Sequence, residues 1–551
     1  MTDDFDQLLR HLGSDAPGSG SETERTRSKF GEMLSRRDLL KGVGAGGVAL
    51  SVSGLLAACG GSSPQSTSSK PTGPPRKGGT VRIALSGGSS ADQPDPHVNV
   101  NGPEVFYAAA LYDQLNQIGE DFVLRNLLAD EITPNKDGSQ WTVRLKPGIE
   151  FQNGKTLGAD DVIFSFQRIF NPKTHATNAW LAGLVASMKK IDPLTMRFHL
   201  HQTVGWFDIA LGDGGVNNIV PVGFDLKRPI GTGPWKLTAF SPGVQSTMVA
   251  NRNYWNGAPH LDELIAPVIN DDTARLNALL SGQVEVLSLL LPSQVAQVEQ
   301  TSGLKVWNSR SGAFAPITMR VDTPPFDDVR VRQALRLCLN RDQVLEEGFS
   351  GFGFIGADLY APFDPAYDKS LTRSQDLEQA KSLLKQAGRS DLNVELVTSD
   401  LGAGALQQCE VLAQNASQIG ATIKVRVVDS ATLFGPNYLS WPFAIDLYPA
   451  LTYMTTSALC DGPFASINET HFKLPRYEAL WTEASAQLDP SKRNEIVREL
   501  QQILYDQGGF MIWGFGNLPG AYSSKLGGFP ARDLRGYGFG AEMMQKAYYV
   551  A

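Results

Sequence analysis

The chain has 551 residues, of which 42% are hydrophobic and 19% charged, and its formal net charge is −8 at pH 7. A chain of this length exceeds what a single hydrophobic core supports, so we expect two or three lobes. The acidic balance argues against a nucleic-acid partner, which requires a basic face.

Residues 1–58 have the features of an export leader. A paired-arginine cluster, Arg36 and Arg37, precedes an apolar run over residues 43–56 that ends in small residues before Cys59. The run is short for a permanent bilayer span, although a transmembrane or buried core helix is the alternative interpretation. The order of features resembles a twin-arginine signal joined to a bacterial lipoprotein box. This resemblance implies cleavage before Cys59 and lipidation of that residue.

The segment after the leader, residues 59–77, is rich in Ser, Pro, Gly and Thr. Such a composition stays solvated and extended, so we expect a flexible linker between a lipid anchor and the folded lobes.

From residue 78 onward, strand and helix patterns alternate. The predicted strands are 80–85, 141–146, 394–397 and 423–428, and the predicted helices are 105–115, a helix that starts near Asp160, 376–388 and 411–419. Strand–helix–strand order with short loops predicts α/β lobes, in which ligands bind at the carboxyl ends of the strands.

The three cysteines that follow Cys59 do not form a metal-type pattern. Cys338, Cys409 and Cys460 are an odd number, so at most one disulfide can form within a monomer. Cys338 lies in an apolar helical stripe, which predicts a buried, inert thiol.

The sequence patterns of common enzyme sites are incomplete or absent in this chain. Residues 154–156, Gly-Lys-Thr, look like the end of a phosphate loop, but the required glycine is replaced by Ile149. The sequence contains no G-x-S-x-G elbow, no H-E-x-x-H and no C-x-x-C. We therefore expect neither an enzyme nor a bound cofactor.

Two other patterns favour structural roles. His199 and His201 could share one face of a strand and hold a metal, but without a third ligand an ordinary strand is the favoured interpretation. The acid pairs 271–272 and 327–328 stand at turns or helix starts, where caps are favoured over a general acid/base pair.

Several different short motifs follow one another along the chain. They are 77–80 (KGGT), 154–156 (GKT), 159–162 (ADDV), 231–235 (GTGPW), 251–255 (NRNYW), 261–263 (LDE), 281–285 (SGQVE), 325–335 (PFDDVRVRQAL) and 340–342 (NRD). This series resembles family 5 of the bacterial extracellular solute-binding proteins, the dipeptide, oligopeptide and nickel type. The resemblance covers residues 77–551.

The resemblance implies a periplasmic-binding-protein-like type II (cluster C) α/β fold, with two hinged lobes and an additional lobe. Lobe I would comprise residues 77–110, 230–308 and 515–551. The additional lobe II would be 111–229, and the opposite ligand-binding lobe III would be 309–514.

The resemblance also indicates where solute contacts are expected. In peptide-binding relatives an acidic residue shortly after an aromatic meets the peptide amine, in the segment that corresponds to residues 444–461. Here the aromatic is Tyr448 and the next acid is Asp461, a departure that disfavours recognition of a free peptide N-terminus. Asp446 is interpreted as a strand-end residue with a structural role.

Six residues are candidates for solute contact. Trp441, Tyr448 and Tyr453 could line an apolar pocket or belong to the lobe core. Asn468 could bond a ligand amide or cap a turn. His97 lies where lobe I meets the cleft in relatives, although an exposed loop histidine is the alternative, and Phe314 lies at the implied hinge.

The resemblance implies a solute-binding receptor of an ABC importer that captures a peptide or peptide-like solute in an interlobe cleft. Its partners would be the permease and ATPase subunits, with a lipid anchor on the outer face of the cytoplasmic membrane and no metal. We expect a monomer. The alternatives are a carrier of a metal chelate or glycoside, and a ligand-sensing lipoprotein without transport.

Overall fold

The computed structural model describes residues 75–99, 101–399, 401, 404–536 and 540–550. Arg36, Arg37, Cys59 and the whole predicted leader lie outside the described residues. Within the described residues, no helix combines the length and apolar character that crossing a membrane requires.

The described part of the chain alternates strands and helices. In chain order the strands are β1 Pro75–Arg76, β2 Thr80–Ala84, β3 Asn116–Ile118, β4 Leu124–Asn126, β5 Ala129–Pro134, β6 Gln140–Leu145, β7 Val185–Asp192, β8 Thr195–Leu200, β9 Trp235–Ser241, β10 Gln245–Ala250, β11 Glu263–Pro267, β12 Val286–Leu287, β13 Leu304–Ser309, β14 Ile317–Met319, β15 Gly353–Ile355, β16 Asn393–Thr398, β17 Thr422–Val427, β18 Phe443–Ile445, β19 Phe510–Met511, β20 Gly514–Gly516, β21 Leu518–Ser523, β22 Leu526–Gly527 and β23 Tyr548–Val550. The helices are α1 Gly102–Leu111, α2 Ala159–Phe170, α3 Phe207–Gly212, α4 Asp272–Leu280, α5 Val295–Glu299, α6 Val329–Cys338, α7 Arg341–Phe349, α8 Leu377–Gln386, α9 Ala405–Ser417, α10 Ser430–Leu433, α11 Tyr453–Cys460, α12 Pro475–Ala486, α13 Pro490–Gln507 and α14 Ala541–Lys546.

A seven-stranded mixed sheet runs in the order β13-β21-β12-β2-β11-β10-β9. β2 is parallel to both β11 and β12, whereas β21 is antiparallel to β12 and β13. The carboxyl ends of β2 and β12 therefore share one edge of the sheet, which is where a ligand crevice is expected.

A four-stranded antiparallel sheet, β5-β6-β8-β7, packs against α2. Buried and partly exposed residues alternate along β8, as in a sheet with one solvated face. Phe166 of α2 and Phe198 of β8 meet edge to face at 5.0 Å between ring centroids. The short hairpin β3–β4 precedes this sheet in the chain.

A five-stranded sheet, β17-β16-β18-β14-β19, shares one hydrophobic core with the helices α6 to α9. β16 and β17 are parallel, with α9 as the crossover between them. The helix α8 begins after Asp376, whose side chain accepts from the N–H of Gln379, and Gly388 follows its end with a φ of 68°. These two caps lie at the ends of the predicted helix, 376–388.

The chain passes twice between the seven-stranded and five-stranded sheets. Residues 310–316 connect β13 to β14, and residues 512–517 lead from β19 through β20 to β21. The mixed α/β architecture with several sheets is consistent with the type II binding-protein fold. The three lobe boundaries themselves stay a prediction.

Two predicted helices have different bounds in the structure. α1 covers 102–111 rather than 105–115, because Asn101 caps its start, Pro103 fits its first turn, and the backbone of Tyr112 is extended (φ −132°, ψ 163°). α9 starts at residue 405 rather than 411, directly after the left-handed Gly404. Helix-favouring Ala, Leu and Gln residues occupy the added turn.

One aspartate of each predicted acid pair caps the start of a helix. The Asp271 side chain accepts from the N–H of Ala274 at the start of α4, and Asp328 accepts from Arg330 at the start of α6. The structural interpretation of these two aspartates is confirmed.

Candidate functional site

A cavity of about 740 Å³ lies at the carboxyl ends of β2 and β12. Leu85 and Ser86 follow β2, Ser288 and Leu289 follow β12, and all four line the cavity. This volume falls within the range of small-molecule sites in proteins, roughly 300–1,000 Å³. Both the position and the size are those of a solute pocket.

The other walls come from α1, the β3–β4 hairpin and the C-terminal segment that includes α14. Apolar side chains form much of the lining: Leu85, Val105, Phe106, Ala109, Leu127, Leu289, Leu518 and Met543. Such a surface can contact the carbon skeleton of a solute, while the polar groups fix its orientation.

Charged side chains at the cavity are mostly engaged with one another. Five acids and three bases line it: Asp113, Glu120, Asp121, Asp533, Glu542, Arg125, Arg535 and Lys546. The pair Arg125–Asp121 is separated by 2.6 Å and Lys546–Glu120 by 3.3 Å, and both pairs are substantially exposed. Exposed pairs of this kind contribute little to stability.

The Arg535 guanidinium joins three segments of the cavity wall. It is buried, and it lies 2.8 Å from the Asp533 carboxylate and 2.6 Å from that of Glu542 in α14. Glu542 also accepts from the side-chain amide of Gln117 in β3. The two carboxylates hold the pKa of Arg535 well above its usual range despite burial, so the guanidinium is a permanent cation.

Asp113, two residues after the end of α1, lines the cavity and makes hydrogen bonds to residues of two sequence motifs. Its carboxylate accepts from the Thr232 hydroxyl at 2.8 Å, the Tyr254 hydroxyl at 2.9 Å and the Trp255 indole at 3.0 Å. Burial raises the pKa of Asp113, and the three donors oppose that effect. The motifs at 231–235 and 251–255 are thus positioned by one buried acid.

Gln114 follows in the cavity wall and is only 3% exposed. Its backbone carbonyl accepts from Leu128, but its side-chain Oε1 is buried without a hydrogen-bond partner. A buried acceptor in this state costs about 1–3 kcal/mol relative to one that is satisfied.

The structure places three of the six predicted contact residues in one aromatic stack. Phe314 stacks on Tyr448 at 5.1 Å and on Tyr360 at 6.0 Å, and Tyr360 stacks on Tyr453 at 5.0 Å. All four rings are at most 4% exposed. They contact each other rather than line the 740 Å³ cavity.

Two buried carboxylates receive the hydroxyls of this aromatic stack. Glu469 accepts from Tyr448 at 2.7 and 2.8 Å, and Asp461 accepts from Tyr360 at 2.9 Å and from Tyr477 at 2.6 Å. Burial raises the pKa of Asp461 to about 6. The first acid after Tyr448 therefore lies within a phenolic cage.

His97 is fully buried between two polar neighbours. Its Nε2 lies 2.8 Å from the carbonyl of Asn218 and its Nδ1 lies 2.7 Å from the guanidinium of Arg168, which also pairs with Asp95. Burial, together with Arg168, lowers the pKa of His97 to about 4, so the imidazole is neutral. The residue is thus part of a buried network beside the cavity wall rather than an exposed loop histidine.

Trp441 and Asn468 also have protein partners. The indole of Trp441 donates to the carbonyl of Leu433 at 2.9 Å. The side-chain oxygen of Asn468 accepts from the backbone of Phe472 at 3.1 Å, which is the turn-capping role. The solute-contact role of all six candidates stays a prediction, and none of the six lines the cavity.

Asp446 follows β18 directly and is buried, and it accepts from the Tyr438 hydroxyl at 2.5 Å. This agrees with a strand-end structural role. Cys338, Cys409 and Cys460 are all buried, and none of the three forms a disulfide within the described residues. Burial raises the pKa of Cys338 to about 12, in agreement with an inert thiol.

The cavity residues were not identified from the sequence. Gln114 falls within the predicted helix 105–115, and Gln117, Asp533, Arg535 and Glu542 lie in segments that carry no motif. The sequence contained one signal for the position of the cavity. Asp113 and Gln114 follow α1, and α1 itself follows β2 and a loop whose first residues, Leu85 and Ser86, also line the cavity. Within the described residues, no group of three or more His, Cys, Asp or Glu could hold a metal ion.

Comparison with known proteins decides the family. The model of "Bacterial extracellular solute-binding proteins, family 5 Middle" matches residues 123–456, which is more than half of the chain. The chain belongs to this family. Its members are binding proteins rather than enzymes, and this family member is an exported solute-binding receptor of an ABC importer.

Relatives match along most of the chain. The glutathione-binding protein GsiB of Salmonella typhimurium is 24% identical over 480 residues, covering 83% of this chain and 93% of the relative. DppA from Helicobacter pylori, solved with the peptide STSA, has a TM-score of 0.72 at 19% identity, covering 86% and 99% of the two chains. NikZ from Campylobacter jejuni, solved with Ni(L-His), has a TM-score of 0.73 at 18% identity, covering 85% and 99%. These structures share the fold of this solute-binding protein.

Proposed function

We propose that this solute-binding protein captures a small peptide-like solute in the cavity at the carboxyl ends of β2 and β12. The observation that carries the proposal is the cavity itself, which has a volume of about 740 Å³ and many apolar side chains in its lining. The relatives named above bind glutathione, a peptide and a nickel–histidine complex. Each of the three solutes contains at least one amino acid, which supports a peptide-like solute here.

Capture would be coupled to closure of the lobes. The two connections at residues 310–316 and 512–517 are the places where the chain passes between the large sheets, and they are suited to act as a hinge. A solute that contacts both sides favours the closed form by the free energy of its additional contacts there. The permease would then recognise the closed form, and ATP hydrolysis would occur in its ATPase partner.

The proposal includes the location of the mature protein. Export through the twin-arginine signal at Arg36 and Arg37, followed by lipidation of Cys59, would hold a monomer on the outer face of the cytoplasmic membrane. Residues 59–77 would act as the flexible linker. The sequence pattern described above supports this proposal.

Native mass spectrometry of the protein from an exporting host tests solute capture. We expect an adduct that is lost when the protein unfolds, and its fragmentation would identify amino-acid building blocks. A glycoside or a metal chelate without amino acids would contradict the peptide-like assignment. If no adduct forms and no solute in a broad screen raises the melting temperature, solute capture itself is contradicted. A solute at a hundred times its dissociation constant adds about 2.7 kcal/mol.

A separate measurement tests the anchor. Cell fractionation of the Cys59→Ser variant should move the protein from the membrane fraction to the soluble envelope fraction, whereas replacement of both Arg36 and Arg37 by Lys should retain it in the cytoplasm. Membrane association of the Cys59→Ser variant equal to that of the wild type would contradict lipidation at this residue.

A further inference from the structure

The β3–β4 hairpin, residues 116–126, forms one wall of the cavity. Within the described residues its two strands pair with each other and with no other strand. Gln117, Glu120 and Arg125 of the hairpin line the cavity, while the side chains of Val123 and Arg125 are about half exposed to solvent. The cavity is thus separated from solvent on this side by a single hairpin. An isolated two-stranded hairpin is marginally stable, so its position depends on the contacts that it makes.

The base of the hairpin is firmly held. The side-chain amide of the buried Asn116 donates to the carbonyl of Asp208 in α3 at 2.8 Å. The backbone N–H groups of Leu127 and Ala129 both donate to the carbonyl of Leu115 at 2.9 Å. A movement of the hairpin would therefore pivot at these residues and displace its tip.

The tip of the hairpin is held by a small apolar contact. The Phe122 ring meets the Phe363 ring edge to face at 5.9 Å between centroids, and it packs in a cluster with Ile118, Ala450 and Leu534. In the described part of the chain this cluster is separate from the four larger hydrophobic cores. Segments with few buried apolar contacts are those that open locally without unfolding of the whole protein.

Polar contacts close the hairpin onto the C-terminal segment. The backbone N–H of Leu534 donates to the carbonyl of Glu120 at 2.9 Å, and the Lys546 ammonium lies 3.3 Å from the Glu120 carboxylate. Gln117 donates to Glu542. Lys546 and Glu542 belong to α14, which also lines the cavity. Movement of the hairpin away from α14 would therefore open the cavity between these two walls, and the exposed ion pair opposes it only weakly.

The backbone of Phe122 adopts a conformation that is rare for a bulky residue. Its φ is 64°, in the left-handed region that favours glycine. A strained residue of this kind persists where the surrounding contacts hold it, and such residues cluster at ligand clamps and switch regions. Here the ring is 6% exposed, so its packing holds the strained backbone in place. Release of the ring would allow the backbone to relax, which favours an open position of the tip.

We propose that the β3–β4 hairpin is a lid that controls access to the cavity, with Phe122 as its latch. As an entry route for solute, this inference rests on the proposed function. Phe363 and Ala450 belong to the segment between the connections 310–316 and 512–517, whereas Leu534 follows the second connection. The latch therefore needs both sides of the proposed hinge, and the lid closes fully when the two sides are together.

Thiol labelling of the unliganded protein tests the lid without knowledge of the solute. The Cys59→Ser background removes the anchor thiol, and the three cysteines in the described part of the chain are buried. Ser288→Cys places a reporter thiol in the cavity lining, and Ser281→Cys places one at an exposed position outside it. Mass spectrometry follows the reaction of each thiol with N-ethylmaleimide.

Phe122→Ala removes the latch and should raise the labelling rate of the cavity thiol about tenfold or more, because loss of a buried ring shifts the balance toward the open form. Phe122→Leu keeps part of the packing and should raise the rate by a smaller factor. Val123→Ala, at the next residue and half exposed, is the matched control and should label as its parent does. The exposed thiol should label equally in every variant. The three buried cysteines report global unfolding and should stay unlabelled.

The outcomes separate the lid from solute capture. If Phe122→Ala and Val123→Ala label the cavity thiol at equal rates, the hairpin is a fixed wall and the inference is overturned. A rise that occurs only together with labelling of the buried cysteines, in both Phe122→Ala and Phe122→Leu, would assign Phe122 a purely structural role and would also overturn it. Neither result depends on a solute, so solute capture would then be decided by native mass spectrometry.

A rise confined to the cavity thiol supports the lid. If that rise is found in a protein that forms no adduct and is stabilised by no solute in the screen, the hairpin still controls access to the cavity but the proposed function fails.

Discussion

The most informative stability prediction concerns Asp113, the buried acid that joins α1 to the motifs at 231–235 and 251–255. Replacement by Ala leaves the hydroxyls of Thr232 and Tyr254 without their acceptor, and these residues are 0% and 8% exposed. Each orphaned buried group costs about 1–3 kcal/mol. Trp255 is partly exposed, so water can replace its bond. We therefore expect Asp113→Ala to lower the free energy of unfolding by about 2–5 kcal/mol.

The Asn variant separates the hydrogen bonds from the charge. One oxygen of Asp113 accepts from Thr232 and Trp255, and the other accepts from Tyr254. An Asn can keep the first oxygen and donate its amide to the Tyr254 hydroxyl, so Asp113→Asn should cost only about 1 kcal/mol. Since burial raises the pKa of Asp113 above 3.8, the wild type should gain stability relative to Asn below that pH and lose the gain as the pH rises through the folded-state pKa.

Urea denaturation followed by tryptophan fluorescence measures these differences. Asp160→Ala is the matched control, because Asp160 is exposed and its ion pair in the described part of the chain is with the exposed Lys190, a pair worth about 0–1 kcal/mol. The reasoning is refuted if Asp113→Ala shifts the urea midpoint no more than this control, or if Ala and Asn cost the same.

Three further predictions follow from other buried contacts. The pKa of Asp461 is about 6 in the folded protein and ordinarily 3.8. The free energy of unfolding of the wild type should therefore fall by about 3 kcal/mol relative to that of Asp461→Asn as the pH rises from about 4 to above 6. A pH-independent difference in urea midpoint would contradict this. Phe314→Ala should cost about 3–5 kcal/mol by opening the aromatic stack, measured by the same unfolding assay; a cost below 1 kcal/mol would mean that the ring is not packed as described. A Cβ at Gly205 would overlap the backbone of Gln487, so Gly205→Ala should cost about 1–3 kcal/mol in calorimetric unfolding, and an unchanged melting temperature would show that this contact is dispensable.

Much of the fold could be predicted from local sequence patterns. Period-two alternation identified β6, the cap residues Asp376 and Gly388 marked the ends of α8, and the ordered motifs indicated the family. These signals lie within a few residues of the element that they describe. The bounds of α1 and α9 were less accurate, because a periodicity argument detects neither the side-chain cap at Asn101 nor the left-handed backbone of Gly404.

The candidate site could not be predicted in the same way. Its walls come from segments near residues 85, 105–127, 288 and 518–546, which only the folded chain brings together. The aromatic candidates Phe314, Tyr448 and Tyr453 did converge, but on a stack completed by Tyr360 and buried against two carboxylates. Whether an aromatic ring is a pocket wall or a core residue depends on its tertiary neighbours. The same is true of Gln114, whose distinguishing feature is a hydrogen bond that it does not make.

Hydrogen–deuterium exchange with and without the most stabilising solute tests the central claim most directly. If the solute occupies the cavity at the carboxyl ends of β2 and β12, amides in residues 112–127 and in α14 should exchange more slowly when it is bound. The segment 441–472, which contains Trp441, Tyr448, Tyr453 and Asn468, should change less. Protection confined to 441–472, with 112–127 and α14 unaffected, would contradict the assignment of this cavity as the solute site and would favour the residues predicted from the sequence.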